Sequence, residues 1–61
     1  MMRKLAKARE RRGLSQRALA ERSGVNHITI ARIETGQYDP QLSTLRRLAK
    51  ALQVKVGDLV D

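Results

Sequence analysis

The chain has no cysteine, tryptophan or phenylalanine, and only one tyrosine (Tyr38), one proline (Pro40) and one histidine (His27). Without cysteine there is no disulfide staple, no thiolate zinc site and no thiol nucleophile. One histidine and six carboxylates leave little from which to build another metal centre, so neither metal nor cofactor is expected. Proteins that hold single-stranded nucleic acid or RNA on a sheet stack bases on aromatic rings; an aromatic content of 2% provides no such platform. No apolar run approaches the roughly 18 residues that span a bilayer, and the first residues carry no secretory apolar segment. An enzyme fails for want of parts, since nothing pairs a nucleophile with a base or gathers metal ligands.

Positive charge is what the chain has in quantity. Thirteen Lys and Arg against six Asp and Glu give +7 on 61 residues, which points to a polyanionic partner. Residues 1–12 carry much of it, with Arg3, Lys4, Lys7, Arg9, Arg11 and Arg12 against Glu10 alone. A basic helix of this kind can also lie on an anionic membrane, but this one lacks aromatics and a broad apolar face. The expected class is a cytoplasmic, nucleoid-associated protein with no membrane partner and no evident small-molecule ligand. A chain this short buries only about 60% of its unfolded surface, so one economical core and one domain, residues 1–61, are expected.

Nine arginines with many Leu and Ala favour helix, and no useful stretch alternates as a strand does. The first helix reads from Met2 to about Arg12, with Met1 or Met2, Leu5, Ala8 and Arg12 on one stripe, and Gly13 ends it. The second starts after Ser15, a good N-cap, with Leu14 and Leu19 at the spacing of a hydrophobic staple; its apolar positions are Leu19 and Ala20. Gly24 stops it near Ser23. The third starts after Asn26, where Val25 and Ile30 repeat the staple, and runs to Thr35 before Gly36. The fourth covers about Leu42 to Leu52, with Leu42, Leu45, Leu48, Ala49 and Leu52 as its stripe. A short fifth turn or helix near Val56 to Val60 closes the core with Val56 and Leu59.

Residues 16–35 are the informative stretch: two short helices joined by a turn. Ala20 is small where the two helices cross, Gly24 reverses the chain at low cost with positive φ, and Val25, Ile30 and Ile33 supply the inner face. If Ile30 and Ile33 face inward, His27, Ile28, Ala31, Arg32 and Thr35 face outward.

The run Gly13-Leu14-Ser15-Gln16, Leu19-Ala20, Ser23-Gly24-Val25, Ile30 to Gly36, Pro40, Leu45 to Leu52 and Val54 resembles the Cro- and repressor-type helix-turn-helix family, the lambda-repressor-like fold. The resemblance covers nearly the whole chain. It implies an all-α, four- to five-helix DNA-binding domain whose third helix enters the major groove, usually as a symmetric dimer on operator DNA. Three positions depart from the family's pattern: Gln53 stands where Gly is usual, Lys55 where Ser or Thr commonly caps the last helix, and Gly57 early in that helix. The last helix, and any dimer contact built on it, is therefore expected to be weak.

On this resemblance Gln16, His27, Ile28, Ala31 and Arg32 are expected at base edges. Arg32 suits guanine O6 and N7, and Ile28 or Ala31 a thymine methyl. Arg9, Arg17, Asn26, Thr29, Thr35, Gln37 and Tyr38 are expected at phosphates, Arg17 because free N–H groups and the dipole of a helix start attract anions. The resemblance also has Gln16 brace the recognition helix and pairs Arg9 with Glu34 across helices one and three. Against each stands a plainer reading: a solvated face for helix three, a helix-start residue for Gln16, a cap for Asn26, loop packing for Tyr38.

The function expected is a sequence-specific regulator of transcription, a repressor, binding double-stranded DNA as a homodimer at least when on DNA. An antitoxin-type module that also binds a partner protein is the alternative, although no extra neutralising segment is evident. The lack of a second domain speaks against a cleavable immunity repressor. For dimer contacts Val54 and Val60 are the candidates, with Val56 and Leu59 facing the core.

Overall fold

The computed structural model describes residues 2–61. Met1, the alternative to Met2 on the first stripe, lies outside the described residues. Four α-helices follow in order: α1 (Arg3–Arg11), α2 (Gln16–Ser23), α3 (His27–Glu34) and α4 (Leu42–Leu52), then one 3₁₀ turn (Val56–Asp58). The architecture is all-α, with no strand among the described residues.

Local chemistry sets the boundaries. Ser15 Oγ accepts from the Ala18 N–H at 3.0 Å and Asn26 Oδ1 from the Ile28 N–H at 2.8 Å, so both expected N-caps are made. At the end of α1, the N–H of Gly13 donates to the Glu10 carbonyl (2.9 Å) and that of Leu14 to the Arg9 carbonyl (3.1 Å). That pair of hydrogen bonds is the Schellman pattern, which places Gly13 in the left-handed region at φ 69°. Gly24 caps α2 at φ 75°. The end of α4 repeats the Schellman pattern with Gln53, at φ 57°, in the position that favours glycine.

α2 packs on α3 and α4, α1 on α3, and the 3₁₀ turn on α4. One core fills the space between them: Leu5, Leu19, Val25, Ile30, Ile33, Leu48, Ala49, Leu52 and Leu59. Leu14 and Ala20 pack against it from the rim, Leu14 on the side expected of a staple and Ala20 beside the α2–α3 turn.

Three expectations change. Leu42, placed on the α4 stripe, is 53% exposed, because the core reaches only the last two turns of that helix and Leu45 is already half-buried. The short fifth turn or helix, expected near Val56 to Val60, is a single 3₁₀ turn that ends at Asp58. Lys55 supplies no side-chain cap there; instead the Asp58 carboxylate accepts the Lys55 N–H at 3.0 Å, enough for one turn. Val54 is half-buried against the core rather than free, which leaves Val60 as the exposed valine of the segment.

Candidate nucleic-acid interface

The site is built on α3, and one carboxylate holds that helix in place. Glu34, its last residue, accepts from Arg9 Nε at 2.8 Å and Nη2 at 3.1 Å, and from Gln16 Nε2 at 3.0 Å. Arg9 Nη1 also donates to the Leu14 carbonyl at 2.9 Å. One anion thus ties α1, α2 and the loop between them to the end of α3. The pair is shielded, with side chains 13% and 8% exposed, and geometry of this bidentate kind is stronger than an ordinary surface bridge. The hydrogen-bonded Glu34 carboxylate raises the Arg9 guanidinium above its already high ordinary value, against the opposing effect of burial.

With its inner face fixed by Ile30 and Ile33, α3 turns the rest outward in graded fashion. Ile28 is 50% exposed and Arg32 is exposed, while His27, Thr29 and Ala31 are half-buried. His27 lines a shallow hollow beside the α2–α3 turn with Ala20, Glu21, Gly24, Val25 and Asn26. Arg17 is exposed in the first turn of α2. Gln37 and Tyr38 are exposed just past α3.

Several expected contacts have their groups engaged inside the protein. Thr35 Oγ1 donates to the Ala31 carbonyl at 3.1 Å, with the Arg32 carbonyl at 3.3 Å, so its hydroxyl proton closes the end of α3. Asn26 uses its oxygen as a cap and keeps its amide donors. Gln16 has its amide on Glu34, the bracing role rather than a free edge. Arg9 uses its Nε and one proton on each terminal nitrogen, which leaves one N–H on each.

Sequence reading missed two tethers. Arg12 Nε donates to the Leu52 carbonyl at 3.1 Å and Nη2 to Gln53 Oε1, which fastens the end of α1 to the end of α4. The Asp61 carboxylate accepts the N–H groups of Arg3 (3.2 Å) and Lys4 (3.1 Å), the free donors at the start of α1. Both span 40 or more residues of sequence, and no local pattern signals them. Among the described residues no cluster of His, Asp and Glu is placed to hold a metal, and no helix is long and apolar enough to cross a membrane.

The family model described as "Helix-turn-helix" matches residues 5–59. The chain is similar to the HTH-type transcriptional regulator PuuR of Escherichia coli, 38% identical over 55 residues, covering 90% of this chain and 30% of that protein. It is 41% identical over 59 residues to an uncharacterized HTH-type transcriptional regulator of Methanocaldococcus jannaschii, covering 97% of this chain and 89% of the relative. Among solved structures it resembles the restriction-modification controller protein C.AhdI of Aeromonas hydrophila, with TM-score 0.90, 33% identity, and coverage of 93% of this chain and 86% of that one. The chain thus spans less than a third of the PuuR length and most of the length of the other two.

Proposed function

The chain belongs to the helix-turn-helix family, and from that premise we propose that it is a sequence-specific regulator of transcription that binds double-stranded DNA through α3. The observation that carries this reading is the division of α3: one face sealed by Ile30 and Ile33 and pinned at its end by Glu34, the other presenting Ile28 and Arg32. A rigid short helix with a guanidinium and an apolar side chain on its exposed face suits guanine edges and thymine methyls in the major groove. His27 and Ala31 are placed at the edge of that face. Gln16 joins base readout only by way of the helix that it braces.

Phosphates are held around this reading head. Arg17, the amide donors of Asn26, Gln37 and Tyr38 ring it, Thr29 and the remaining N–H groups of Arg9 lie nearer the body, and Thr35 contributes through the end of α3. Such contacts position the protein and carry no sequence information themselves. The regulator works as a repressor in the nucleoid, residues 1–61 acting as one unit and pairing on DNA through the surface around Val60. Selection of bound sites from random duplex DNA tests it. A recovered palindrome with half-sites about 34 Å apart supports the reading. Recovery of no consensus, with equal affinity for all duplexes, overturns it.

A further inference from the structure

A second concave surface lies away from the reading head, and no residue of α3 lines it. It is a half-open groove of about 480 Å³ between α1, the end of α4 and the segment beyond, lined by Lys4, Lys7, Ala8, Arg11, Arg12, Leu52, Val54 and Asp58. Its volume falls in the range of small-molecule sites, roughly 300–1,000 Å³.

The lining divides into two kinds of surface. Ala8 and Val54, both half-buried, make a small apolar floor that rests on the core residue Leu52 beneath. Above it stand four cations. Arg12 is committed to the Leu52 carbonyl and to Gln53, so it forms a fixed wall. Lys4, Lys7 and Arg11 recur at helical spacing on one face of α1, over about 10 Å of its length. The ion pair found among the described residues is Arg9 with Glu34, so these three are not neutralised by a carboxylate contact. Asp58, the one acid in the lining, accepts the Lys55 N–H instead. Asp61 sits on the backbone of Arg3 and Lys4 at the start of the same helix.

Three like charges along two turns repel one another, and an anion placed among them relieves that repulsion. From this juxtaposition we infer that the groove binds a small amphipathic organic anion, its charged head held by Lys4, Lys7 and Arg11 and its apolar body laid over Ala8 and Val54. Such a ligand needs both halves. A bare anion gains only the screened attraction of exposed cations, and a neutral apolar molecule gains only a shallow floor. Because the ligand binds the folded chain, it also raises the melting temperature.

The test is an amide NMR titration with three probes: 1-naphthyl phosphate, inorganic phosphate and 1-naphthol. The expected result is saturable shifts at Ala8, Leu52 and Val54 with 1-naphthyl phosphate, and at least tenfold weaker binding of each other probe. The double variant Lys7→Glu/Arg11→Glu binds 1-naphthyl phosphate at least tenfold more weakly while keeping its melting transition; should it fail to fold, Arg11→Glu alone, with at least a threefold loss, serves in its place. Equal binding of inorganic phosphate reduces the groove to a charged surface and overturns the inference. Shifts centred on α3, or affinity unchanged by charge reversal, overturn it as well.

Discussion

On the function proposed above, Arg32 is the side chain on which the reading of DNA would depend most. It is exposed on the face of α3 opposite Ile30 and Ile33, and no other guanidinium shares that helix. Arg32→Ala is expected to cost about 1–3 kcal/mol on the selected site and to relax preference at one base pair. A gel-shift or anisotropy comparison with random duplex checks it, since equal loss on both would make Arg32 a phosphate contact. Glu34 acts differently, by holding the helix. Glu34→Ala leaves the shielded Arg9 guanidinium and the Gln16 amide without their acceptor, at a stability cost of about 1–3 kcal/mol in urea unfolding. Gln53 presents the reverse case. Its backbone lies at φ 57°, which costs a residue with a Cβ about 1–2 kcal/mol, whereas glycine enters that region freely. Gln53→Gly is therefore expected to raise stability by about 0.5–1 kcal/mol. A lower urea midpoint would show that the lost contact with Arg12 outweighs the relief.

Helices α2 and α3 were legible because their signals are local. Ser15 and Asn26 are caps by chemistry, Leu14–Leu19 and Val25–Ile30 are staples by spacing, and Gly24 marks the turn between them. α1 is a harder case. Its first turn has no acidic residue and two cations, an unfavourable pairing with the positive end of the helix dipole. Asp61 makes up for this from the far end of the sequence, and its hydrogen bonds from the Lys4 and Arg3 backbone hold its carboxyl below the usual carboxylate range. A lowered carboxylate contributes stability that is present above its ordinary value and lost as pH falls through the depressed one. Melting temperatures of the parent and of Asp61→Ala should therefore differ at neutral pH and converge as the pH drops below the usual carboxylate range. A difference that persists unchanged into strong acid would separate the effect from ionisation.

The molecule as a whole is small enough for one helix to be its working part. Its Cα extents are 22 × 22 × 19 Å, and α3, with 8 residues, is about 12 Å long, close to the width of the major groove. Two such bodies centred on half-sites about 34 Å apart leave roughly 12 Å between their backbones, a gap that side chains can only just cross. The exposed valine in the last segment is Val60, and that segment holds only a single 3₁₀ turn. The proposed pairing surface is thus slight, and on that proposal DNA is expected to assemble the dimer by bringing two copies together. Sedimentation should give a monomer for the free protein at micromolar concentration and two copies on a palindromic duplex. One copy at saturation would remove the dimer. With about eight phosphates neutralised by the pair, log K should fall with log salt at a slope near −7; a slope near zero would remove DNA as the main partner.

Fold class and the course of α2 and α3 could be read from the sequence alone because capping, stapling and the 3.6-residue period all act within a few residues of chain. Ile30 and Ile33, predicted to face inward, are fully buried, and Ser15 and Asn26 cap where their side-chain chemistry says they should. Even the weakness of the last helix was visible in Lys55 and Gly57. What needed the tertiary structure was every choice between equivalent surfaces. Leu42 carries the same periodic signal as Leu48, yet only Leu48 meets the core, because depth depends on where the neighbouring helices end. Arg12 and Asp61 look like ordinary surface charges until folding brings one to the end of α4 and the other to the start of α1. Contacts of this kind join residues 40 and more positions apart, and their partners are chosen by the packing of the core rather than by anything within reach along the chain.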